Sequence, residues 1–152
     1  MRAAAILLTA AAAFAQSRLP DVIAVPAGEF QMGDHQNFVD PAHPSDEVPL
    51  HKVAIDALYA SVYPVTNRQY VEFLNGALAA GAIEVRNGMV YGKGGAEPYC
   101  ETHTLSDYSS IAWDGKAFSV ADFRGNHPAV GIRWPGAAAY TNWLSAQVGL
   151  TP

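Results

Sequence analysis

A run from Asn126 to Gly149 limits most sharply what this chain can fold into. Ala129-Val130-Gly131-Ile132 reads as a short buried strand, and Arg133-Trp134-Pro135 turns it directly into an amphipathic helix. Pro135 suits the first helical position, where its fixed φ helps and its missing N–H would have had no partner. Ala137, Tyr140, Thr141, Leu144 and Val148 recur at helical spacing and are expected to face a core. Gly149 is the natural left-handed stop. A strand and helix this apolar require a packing partner elsewhere in the chain.

The clearest local signal for such a partner begins at Thr66. Thr66 with Gln69 three residues on forms a capping box, and Val65 and Tyr70 can staple around it. Tyr70, Phe73, Leu74, Ala77 and Leu78 then make one apolar face, which predicts a helix ending before Gly81. Asn67 and Arg68 fall on its polar side, where surface positions are expected.

The remaining elements read as short strands. Asp21 to Val25 alternates apolar residues, Pro26-Ala27-Gly28 reads as a turn, and Glu29 to Met32 as the strand returning in a hairpin. Gly33 to Leu50 has no period and reads as a loop, while His51 to Val62 suggests one long strand or a pair broken near Asp56-Ala57. Asn87-Gly88, between Ile83–Val85 and Met89–Tyr91, signals a type I′ hairpin because both turn residues need positive φ. Asp114-Gly115 is a second signal of that kind, and Gly92 to Ser110 carries little sign of order. Short strands and hairpins with two helices make an α+β domain.

The N-terminus is set apart. Arg2, the apolar run Ala3 to Ala13 and the A-x-A site Ala13-Phe14-Ala15 before Gln16 read as a signal peptide over residues 1–15. The run is too short for a good membrane span, so the expected product is exported, periplasmic or secreted, with no span once the leader is gone. Hydrophobic residues make up 50% and charged residues 15%, which excludes a disordered chain. A formal charge of −5 and the lack of a basic stripe argue against nucleic acid as a partner.

Candidate chemistry is sparse. Asp34, His35, Asp40, His43, Asp46, Glu47 and His51 could supply oxygen and imidazole ligands, but their spacing matches no ligand motif and a solvated loop is the plainer reading. Cys100 is the only cysteine, so an internal disulfide is impossible. In an exported chain it could be a reactive site, an intermolecular bridge, half of a pair completed elsewhere, or a thiol without a role. Cys100 with His103 could be a nucleophile and base, although nothing in the sequence brings them together. Tyr140, Trp134 and Trp143 are expected in the core, and Arg133 either touches a peptide or pairs with a carboxylate.

Three stretches carry a family resemblance. Asn126 to Ser145 is similar to the H-P-V-x-x-V-S-W-x-x-A-x-x-Y-C-x-W-L-S signature of the formylglycine-generating enzyme (sulfatase-modifying factor) family. Val25 to Gly33 resembles its opening P-A-G-x-F-x-M-G, and Tyr63 to Phe73 its K-Y-E-V-T-N-x-Q-Y-x-x-F. Asp46-Glu47, Pro49 and His51 resemble its D-E-x-P-x-H segment, which gives His51 a structural role. The resemblance implies an irregular, loop-rich, C-type-lectin-like α+β fold, with residues 20–152 as the N-terminal portion of the domain. It implies that the intact form oxidises a cysteine of a sulfatase, or of another protein substrate, to formylglycine. Copper held by two nearby cysteines and calcium in later loops are implied for that intact domain. Soft sulfur favours Cu(I), and only the thiolate binds it. No residue here matches the cysteine pair, so no catalytic, cofactor-binding or metal residue is assigned and no cofactor is expected in this chain. Thr141 stands where many members have the cysteine of Y-C-x-W. The alternatives are a non-catalytic binding or scaffold module of the same fold, and a relative of the iron-dependent sulfoxide synthases, whose histidine-rich helical domain has no counterpart here.

Overall fold

The computed structural model describes residues 21–36, 42, 47–121, 123–147 and 149. The expected leader, Asp40, His43, Asp46 and Val148 lie outside them.

Thr66 starts the central helix as its sequence predicts. Gln69 Oε1 accepts the Thr66 N–H at 2.9 Å, and Thr66 Oγ1 faces the Gln69 N–H at 3.4 Å. Helix α1 spans Asn67–Ala79, and Gly81 follows in the left-handed region at φ 66°. Tyr70, Phe73, Leu74 and Ala77 are buried along it, with Val65 and Leu78 packed at the margin. Asn67 is a correction: it is 1% exposed, not a surface residue. The apolar stripe could not reveal this, because a neighbouring loop rather than the core covers it.

Strands β1 (Val22–Val25), β2 (Gly28–Met32), β3 (His51–Ile55) and β4 (Leu58–Ser61) correct the expected β1–β2 hairpin. β2 pairs antiparallel with β3, and β1 pairs with β4 outside them. The pairing offset is the same in both halves, Val25 opposite Leu58 and Gly28 opposite Ile55, so one ribbon runs from end to end. Its middle carries Pro26, which cannot donate to a ladder, and Asp56-Ala57 opposite. The long loop, not the Pro-Ala-Gly corner, therefore reverses the chain.

The remaining sheets carry the hairpins. β5 (Ile83–Arg86), β6 (Met89–Gly92) and β7 (Pro98–Glu101) form an antiparallel sheet, turned at Asn87-Gly88 with φ of 50° and 76°. β7 arises where little order is expected, since Pro98 is tolerated at a strand's first position. β8 (Ile111–Trp113) and β9 (Phe118–Val120) pair with Trp113 opposite Phe118, so their loop has four residues rather than two. Asp114 Oδ1 fixes that loop, accepting the N–H groups of Lys116 and Ala117 at 2.8 Å each.

Helix α2 spans Trp134–Gln147. Its buried side is Gly136 and Tyr140, with Ala139, Trp143 and Leu144 half-buried, whereas Ala137 and Thr141 are exposed. The packed face is thus turned from the expected one by about one residue, because Trp143 follows Tyr140 onto α1. The segment Ala129–Ile132 forms no regular strand. It is anchored by Ala129 N–H to Val65 O at 2.8 Å and by a bridge from Ile132 to Cys100.

The core joins α1, β5–β9 and α2: Tyr70, Phe73, Leu74, Ile83, Val90, Cys100, Ile111, Phe118 and Tyr140 are all buried. Phe73 stands edge-on to Tyr140 with ring centroids 5.8 Å apart and lies 5.8 Å from Trp143. None of the ribbon's side chains belongs to this core or to the half-buried layer around it. On the β2–β3 half, Phe30, Met32, Val53 and Ile55 share one side, while Glu29, Gln31 and Lys52 share the other. On the β1–β4 half both sides are apolar, with Val22 and Tyr59 on one and Ile23, Val25 and Leu58 on the other. Tyr59 is 76% and Phe30 46% exposed.

Candidate functional site

A cluster of buried polar groups lies where the starts of α1 and α2 meet β7. Cys100 lies fully buried on β7 beside Tyr70 of α1. Burial pushes its thiol up to about 12, against a smaller lowering by Tyr70. Burial, and then the nearby Cys100, raises the Tyr70 phenol well above its usual range. Tyr70 Oη, despite that neighbour, finds no partner of good hydrogen-bond geometry. At neutral pH both groups keep their protons, so Cys100 is neither a ready nucleophile nor a ready ligand.

Gly136 closes the other side of this cluster. A Cβ on it would stand 2.5 Å from Tyr70 Oη and 2.5 Å from Tyr99 O, so only a hydrogen fits there. Just before it, Arg133 N–H donates to Tyr99 O at 2.8 Å, and its guanidinium lies 3.4 Å from Glu101 Oε1. Of the two roles open to Arg133, the carboxylate pairing is the one formed. Trp134 is 82% exposed, contrary to the expectation of a core aromatic, while Tyr140 and Trp143 pack inward. As the first residue of α2, Trp134 projects away from the α1 contact that its two fellow aromatics make.

A second cluster surrounds the start of α1. Its N–H groups are taken by loop carbonyls: Asn67 N–H by His127 O at 2.9 Å and Arg68 N–H by Gly125 O at 3.0 Å. Asn67 Nδ2 also donates to Arg124 O at 2.9 Å, and its Oδ1 is buried without a partner. Arg68, exposed, extends its guanidinium to Gly125. Farther along, Asn75 clamps Phe118 from both sides, donating to its carbonyl and accepting its N–H, each at 2.9 Å. Asn75 has no sequence signal, because its partner lies 43 residues away on a strand whose register had first to be set.

The other candidates stay apart. His103 shares a 2.8 Å hydrogen bond between Nδ1 and Ser109 O, and no hydrogen bond joins it to Cys100. Asp34 Oδ1 accepts the Gln36 N–H at 2.8 Å, His35 Nε2 lies 3.0 Å from Gln31 O, and Glu47 is exposed. His51 Nδ1 bonds the Pro49 carbonyl at 2.9 Å, a local structural contact at the foot of β3. Among the described residues no group of three or more His, Cys, Asp or Glu side chains converges to hold a metal ion. The copper site implied by the family resemblance needs two accessible thiolates, and a single buried, protonated thiol does not fit it. No described helix is long and apolar enough to cross a membrane.

Comparison with known proteins gives this scaffold a family. The serine/threonine-protein kinase Pkn1 of Chlamydia trachomatis is 26% identical, the match covering 88% of this chain and 18% of that protein. The formylglycine-generating enzyme of Mycobacterium tuberculosis is 28% identical over 86% of this chain and 48% of its own, and that of Mus musculus 26% over 86% and 37%. The solved structure of PvdO from Pseudomonas aeruginosa is similar at 24% identity and a TM-score of 0.46, covering 86% of this chain and 41% of that one. The chain thus spans less than half the length of each of these relatives. The model of the sulfatase-modifying factor enzyme 1-like domain matches residues 9–149, nearly the whole sequence, and the chain belongs to that family.

Proposed function

We propose that this chain is the N-terminal, scaffold-forming portion of a formylglycine-generating-enzyme-like domain, exported by a leader over residues 1–15. The intact domain oxidises a cysteine of a sulfatase, or of another protein substrate, to formylglycine, and the thiols for that step are supplied by polypeptide other than these 152 residues. The observation that carries the reading is the ribbon. Its β1–β4 half is apolar on both sides, a pattern found where both faces of a sheet are covered. Further support comes from the family match, from the short span relative to the curated relatives, and from the closed state of Cys100.

A similar stretch in a protein named as a serine/threonine-protein kinase, where the match covers 18% of the length, favours a second reading. On that reading the fold of this chain serves as a binding or scaffold module without cysteine chemistry. The two separate in one experiment. The chain alone, and a longer protein containing it, are each incubated with Cu(I), oxygen, a thiol reductant to supply the second electron pair for oxygen, and a peptide containing C-x-P-x-R, and the peptide mass is followed. Conversion of the thiol to an aldehyde by the longer protein only supports the first reading. No conversion by either supports the module. Conversion by the chain alone overturns both. Export is tested by N-terminal sequencing of the periplasmic or secreted product, which should begin at Gln16; an intact Met1 there refutes the leader.

A further inference from the structure

We draw no further inference here: the strongest candidate, the open apolar face of the β1–β4 and β2–β3 ribbon around Phe30, Met32 and Tyr59, already belongs to the domain completion proposed above, and nothing in the structure shows what else covers it.

Discussion

Replacing Gly136 with alanine sets two opposing effects against each other, and the geometry decides between them. By helix propensity alone, Gly136→Ala within α2 should stabilise by about 1 kcal/mol. The added methyl, however, would lie 2.5 Å from Tyr70 Oη and 2.5 Å from Tyr99 O, with Tyr99 C at 2.9 Å. Carbon and oxygen rest near van der Waals contact at roughly 3.5 Å, so each overlap approaches an ångström. Neither neighbour can yield cheaply. Tyr70 is 2% exposed and held between Phe73 and Tyr140, and Tyr99 O is already bonded to Arg133 N–H. Overpacking of this kind costs about 1–3 kcal/mol, and two fixed contacts put it at or above the upper end. The net expectation is a loss of about 2 kcal/mol, or roughly 6 °C in melting temperature for a chain this size. Urea denaturation of the full chain followed by far-ultraviolet circular dichroism measures it. Ala137→Gly, one residue along on the exposed side, is the companion and should lose only about 1 kcal/mol by propensity. A Gly136→Ala protein as stable as the parent, or more so, would refute the close approach of α2 to Tyr70.

Three further outcomes follow from the described contacts. Asn75→Ala strands the N–H and carbonyl of Phe118, and should destabilise by about 2 kcal/mol in the same assay, whereas a loss under about 0.5 kcal/mol would discount the clamp. The N–H groups of Ala117 and Lys116 hold the Asp114 carboxyl below the usual carboxylate range. Its contribution is therefore complete above about pH 4, the unfolded value, and disappears as pH falls through the lower folded value. Melting curves of Asp114→Ala and parent should converge in acid, and a constant gap down to pH 2 would contradict this. The Cys100 thiol, raised by burial, should resist Ellman's reagent at pH 8 until the chain is unfolded. Its contribution is full below about pH 8.5 and lost as pH rises toward about 12, so Cys100→Ala should flatten the alkaline fall in melting temperature; an unchanged slope would sink that account.

The sequence was most readable where a local rule and the tertiary fold agree. Thr66, Gln69 and Gly81 mark α1 at both ends because capping geometry is set within four residues. Asn87-Gly88 marks its hairpin for the same reason, since no other part of the chain is needed to favour two positive φ values. Legibility failed where pairing is non-local. Pro26-Ala27-Gly28 has the chemistry of a turn, yet β1 reaches past β2 and β3 to find β4. In α2 nearly every residue is small or apolar, so periodicity pointed to a face with Ala137 and Thr141, which are exposed, whereas the approach to Tyr70 and Tyr99 turns Gly136 inward. The candidate site was legible only in part. Cys100 stood out by being solitary, but its burial beside Tyr70 depends on β7, for which the sequence around Pro98 gave no warning. The role of Asn67 was hidden because a loop beginning nearly 60 residues later covers it.

The shared offset of the two ribbon halves ties together four segments that look independent in the sequence. Removing one residue at Pro26-Ala27 would turn every side chain of β1 over relative to its partners in β4 while leaving β2 and β3 untouched. Removing one residue at Asp56-Ala57 as well would restore the match. Length changes at these two corners are therefore tolerable in concert but not singly, and drift in one corner during descent is coupled to drift in the other.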